Sequence, residues 1–127
     1  MEKEAYVSFE VARLLKDKGF DAQCRAAYTN YGKLFTIQIQ QYITNVLCSK
    51  GYLWDCIAPT HQMAMKWLQE EHHIHIGINP ISGKGYYATI YDVADFDDYG
   101  IISTTECFFH VEQACEAAIK YCLENLI

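Results

Sequence analysis

The chain has 127 residues, a length that suits one domain with a sizeable core, and its 51% hydrophobic content excludes a disordered polymer. Ten basic residues against sixteen acidic ones leave a net charge of −6 with no offsetting lysine or arginine cluster, so general nucleic-acid binding is disfavoured. No apolar run approaches the roughly 20 residues that cross a bilayer, and MEKEAYVSFE lacks the regions of a signal peptide, so a cytoplasmic location without membrane contact is expected.

In chain order, Ser8 is placed to cap a helix over Phe9 to Lys18, with Val11, Leu14 and Leu15 as its apolar stripe. Gly19 stops it by taking the left-handed conformation, and Phe20 covers the exposed end. From Cys24 to Ile57 the pattern is mostly extended, divided by Tyr31-Gly32-Lys33 and Ser49-Lys50-Gly51. Phe35, Ile37 and Ile39 alternate with Thr36, Gln38 and Gln40 as in a strand. Tyr42, Ile43, Val46 and Leu47 fit a helix equally well and are read as strand.

Pro59 and Thr60 start a second helix, whose Met63, Ala64, Trp67 and Leu68 share a face. At His73 the period shortens to two, with Ile74, Ile76 and Ile78 on one side and His73, His75 and Asn79 on the other. The spacing predicts a strand ended by Pro80, a turn over Pro80 to Gly85, and a partner strand over Tyr86 to Asp92. A short strand follows at Ile101 to Thr105, then a helix over Val111 to Leu126 with Val111, Ala114, Cys115, Ala118, Cys122 and Leu126 inward.

These elements imply an α+β fold in one domain, residues 1–127, with about three helices on an antiparallel sheet in the order α-β-β-β-α-β-β-(β)-α. The helix-bearing segments Val7 to Asp21, Ala58 to Ile76 and Glu112 to Leu126 carry the patterns A-x-x-L-x-x-x-G-F and A-P-T-x-x-x-A-x-x-W-L. In these the chain resembles a group of small uncharacterised proteins of gut bacteria and their prophages or other mobile elements. The resemblance covers a third to a half of the chain, implies that genomic setting, and brings no catalytic residue with it.

The histidines give the sharpest chemical candidate. His61 and His72 stand too far apart on one helix to share a metal, roughly 16 Å at the helical rise. His73 and His75 have the H-x-H spacing from which zinc is held when a third ligand arrives, with Asp55, Cys56 or Glu71 as donors to consider. The competing reading is a pair of solvent-facing polar residues, with no cofactor.

The six cysteines contain no C-x-x-C pair and read as small core residues, with Cys56 and Cys107 nearest to loops and so the ones to test as nucleophiles. Ser82-Gly83-Lys84-Gly85 lacks the spacing and the following helix of a phosphate loop and reads as a hairpin turn. Asp92, Asp95, Asp97 and Asp98 form an acidic patch that either is simply solvated or imitates a phosphate backbone before a basic partner. Tyr86, Tyr87, Tyr91 and Tyr99, with Phe108 and Phe109, are candidates for an aromatic binding surface. Together these point to a non-enzymatic module that binds another protein or a second copy of itself; a metal site at the H-x-H strand and an acidic nucleic-acid mimic are the competing functions.

Overall fold

The computed structural model describes residues 5–36, 43–45, 48, 54–93 and 100–127. Among them lie three helices and two three-stranded antiparallel sheets, in the order α1 (Phe9–Asp17), β1 (Ala26–Thr29), β2 (Leu34–Thr36), β3 (Trp54–Ile57), α2 (His61–His72), β4 (Ile74–Ile81), β5 (Gly85–Asp92), β6 (Gly100–Thr104) and α3 (Val111–Asn125). The α+β class and the order of elements follow the expectation. The strands form two sheets, each in its own compact unit, residues 1–60 and residues 61–127.

In the first unit, the Ser8 hydroxyl accepts from the Val11 amide at 3.2 Å and so satisfies one of the donors that every helix start leaves open. The other end closes as its sequence suggests. Gly19 takes φ +91, its amide donates to the Lys16 carbonyl, and the Phe20 amide reaches back to the Leu15 carbonyl at 2.9 Å. Phe20 and the inward face Val11, Ala12 and Leu15 are buried. α1 packs on β3, and the sheet order is β2-β1-β3. All four residues of the central β1 are buried.

Asn45 joins three parts of this unit. Its amide donates to Asp21 Oδ1, its Nδ2 donates to the Phe20 carbonyl, and its Oδ1 accepts from the Ile57 amide at 3.0 Å. The strand reading of Tyr42 to Leu47 does not hold at Asn45, which is helical, as is Cys48, whose amide bonds the Thr44 carbonyl at 3.1 Å. Ile43 instead exchanges both backbone bonds with Cys24. Tyr42, Val46 and Leu47 lie outside the described residues, as do Ile37, Ile39 and the Ser49–Gly51 turn. Within β2, Leu34, Phe35 and Thr36 are all exposed, and Phe35 packs its ring at a steep angle to that of Trp54.

In the second unit, α2 and α3 pack on a sheet ordered β4-β5-β6. Ile74, Ile76, Ala88 and Ile90 meet Ala64 and Leu68 of α2 and the broad face Ala114, Cys115, Ala118, Ile119, Cys122 and Leu123 of α3, all buried. Val111 and Leu126, expected inward, lie at the ends of α3; Val111 is exposed, and Ile119 and Leu123 are buried instead.

β4 runs through Pro80 to Ile81, one residue beyond the expected break. The reason lies across the ladder. Pro80 stands opposite Tyr86, whose N–H and C=O both bond Phe108 on the other flank at 2.7 Å, so the pairing of β4 with β5 asks for no donor at Pro80. The turn is therefore Ser82 to Lys84, closed by the Lys84 amide on the Ile81 carbonyl with Gly83 at φ +76. Gly85 follows at φ +105, where the Phe108 strand crosses so closely that an added Cβ would lie 2.0 Å from the Phe108 oxygen.

Candidate binding surface

His73 and His75 do not share a strand face. His73 precedes β4 at φ +57, a left-handed residue that ends α2 and turns the chain into the sheet, a conformation histidine tolerates better than most side chains. His75 lies in β4, exposed, with Nδ1 3.0 Å from Gln69 Oε1 and its ring tilted beside Tyr91 at 6.0 Å. Of the third donors considered, Asp55 pairs with Arg13 at 3.4 Å and Cys56 is buried in β3. Among the described residues, no three His, Cys, Asp or Glu side chains are gathered as a metal requires. His72 packs its ring edge-on against Trp67.

His75 and Gln69 line an open hollow of about 340 Å³ between α2 and β4, with the Lys66–Glu70 pair on its rim at 3.8 Å. Exposed amides and a loose surface ion pair supply neither a nucleophile nor a fixed charge for chemistry.

Five of the six thiols are also unsuited to attack. Burial, with some help from neighbouring negative charge, raises Cys24 and Cys56 from an ordinary value near 9.0 to about 12. Burial likewise raises Cys122 to about 12 and Cys115 to about 11, and pushes Cys48 upward. Cys56, which its sequence position set near a loop, thus holds its proton firmly in the interior. Cys107 alone is exposed.

A partly buried pair that no motif announces joins the two helices of the second unit. His61, at the start of α2, sets Nε2 3.1 Å from Glu116 Oε1 on α3, bringing a carboxylate to a helix start whose own first turn has no acid. The other ring nitrogen, Nδ1, is buried with no hydrogen-bond partner among the described residues.

The tyrosines divide between two faces. Residues opposite one another in a ladder share a face, so Tyr87 and Tyr91, opposite Asn79 and His75, lie away from Tyr86, which faces Pro80. All three are half-buried. Tyr99, Asp95, Asp97 and Asp98 lie outside the described residues, and Asp92 stands at the end of β5 opposite Gly100.

Exposed apolar side chains lie elsewhere in this unit. β6, like β4, is an outer strand among the described residues, and Ile101 and Ile102 on it are 64% and 39% exposed; Phe109 is 83% exposed and Val111 38%. Ile101 escaped the sequence reading because it reads as ordinary half-buried strand, whereas Phe109 was named there among the aromatic candidates, beside Tyr86, Tyr87 and Tyr91, which are half-buried.

Charge is divided as unevenly as exposure. Residues 1–60 hold seven basic and six acidic side chains, whereas residues 61–127 hold three lysines against ten acids, a net −7. Between Lys84 and Lys120 the sequence has seven acidic residues and neither lysine nor arginine.

No helix among the described residues is long and apolar enough to cross a membrane. No family model matches the chain, and neither a curated protein nor a solved structure matches it.

Proposed function

We propose that the chain acts without chemistry of its own, by binding another protein through the exposed stretch Gly100 to Val111, in a cytoplasmic setting and as part of a mobile element. The supporting observation is the exposure of Ile101 and Ile102 on an outer strand of the more acidic unit and of Phe109 in the segment that follows it. Apolar area left open on a sheet edge costs solubility and invites pairing, so its retention fits a surface that a partner covers.

A photo-crosslinking residue placed at Ile101 or Phe109 in expressing cells should give a defined protein adduct, while the same residue at exposed Arg13 or Lys66 should give none. Equal labelling from all four positions, or none from the first two, would contradict the proposal. An adduct between two copies of the chain would assign the surface to self-association.

A further inference from the structure

Among the described residues β6 ends its sheet, and no described strand pairs with its outer flank. Ser103 stands opposite Ile90, and the Thr105 amide bonds the Ala88 carbonyl at 2.9 Å. By the alternation of an antiparallel ladder, Thr104 between them turns its own N–H and C=O outward. The register shift at Ile90/Tyr91 confines regular pairing to a short stretch around Thr104, so backbone bonds fix the direction of a docked chain while the apolar side chains on either side supply most of its contact. Ile101 and Ile102 flank that stretch on one side, Phe109 on the other.

Electrostatics selects among chains that would fit. Asp92 stands beside the Gly100 end, Glu106 and Glu112 are exposed at the far end, and neither lysine nor arginine interrupts the sequence from residue 85 to residue 119. A second copy would bring like charge to like charge, and a nucleic acid would be repelled. We propose, resting on the protein-binding reading above, that the occupant of the β6 edge is an extended basic segment of another protein, added as a further strand beside Thr104 with its cationic side chains toward Asp92, Glu106 and Glu112.

The test uses the full chain and an end-blocked, dye-labelled peptide of about eight residues alternating valine and lysine, a usual strand length. Fluorescence anisotropy should show this peptide binding about tenfold or more tightly than the same peptide N-methylated at alternate amides, and than one alternating valine and glutamate. Raising salt from about 50 to about 500 mM should weaken it severalfold. Thr104→Pro removes only an outward N–H and should reduce binding about fivefold or more; the N-methylated peptide asks the same question with no variant to fold.

Equal binding of the N-methylated peptide would overturn strand addition, and equal binding of the glutamate peptide would overturn the charge assignment. If no peptide binds while crosslinks still form from Ile101 and Phe109, the basic-segment inference fails and the protein-binding reading stands. If the crosslinks fail as well, both fall.

Discussion

Five of the six cysteines owe their inertness to burial, and this makes the fold sensitive to alkali. Cys24, Cys48, Cys56, Cys115 and Cys122 all have raised pKa values in the folded chain. Each binds its proton more tightly folded than unfolded, so the associated stability is complete below about pH 9 and is lost as pH climbs through 11 and 12. Urea midpoints measured from pH 8 upward should therefore fall steadily above about pH 9. A thiol reagent at about pH 8 should modify Cys107 quickly and the other five only on unfolding, a contrast that mass spectrometry reads directly. Asn45 carries a comparable weight through hydrogen bonds. Asn45→Ala takes the side-chain partner from the Ile57 amide and the Phe20 carbonyl together and should cost about 3 kcal/mol by urea unfolding; a loss below about 1 kcal/mol would mean that other bonds compensate. Ser8 and Gly19 were legible in the sequence because their partners lie within five residues. Asn45 was not, because the groups it bonds are 12 to 25 residues away.

The β4–β5 hairpin shows how one residue type can be read correctly in kind and wrongly in place. Pro80 reads as a strand terminator, yet what proline costs a sheet depends on which flank its missing N–H faces, and that is a property of the ladder and not of the local sequence. The two turn glycines make a matched test. Gly83 has φ +76 and open space around it, so Gly83→Ala should cost about 1 kcal/mol from backbone strain alone. Gly85 has both a left-handed backbone and the Phe108 carbonyl against it, so Gly85→Ala should cost at least about 3 kcal/mol and loosen the strand that bridges to Tyr86. Thermal melts that rank the two variants equally would contradict the close approach. At the end of α2, His73→Gly should leave the fold intact or slightly firmer, by up to about 1 kcal/mol, because the position asks for a left-handed backbone and not for an imidazole.

Across the whole molecule, composition alone gives the net charge of −6 but hides its distribution, since the boundary at residue 60 becomes visible only once contacts divide the chain. The fold class was legible from periodicity. The candidate surface was legible only at Phe109, because exposure depends on packing across the sheet: β4 and β6 are both outer strands, but the helices pack on β4 and β5 while Ile101 and Ile102 of β6 stay open. With Ile101 and Ile102 open on an acidic unit, Ile101→Asp should raise solubility and abolish crosslinking from Phe109 while shifting the melting midpoint by less than about 3 °C. The most direct measurement is amide NMR of the isotope-labelled chain titrated with the valine–lysine peptide. Binding along β6 predicts progressive shifts confined to Ile101 through Thr105 and to Phe109, with slowed exchange of the Thr104 amide. Shifts centred on His75 and Lys66, spread across residues 1–60, or absent at saturating peptide would contradict it.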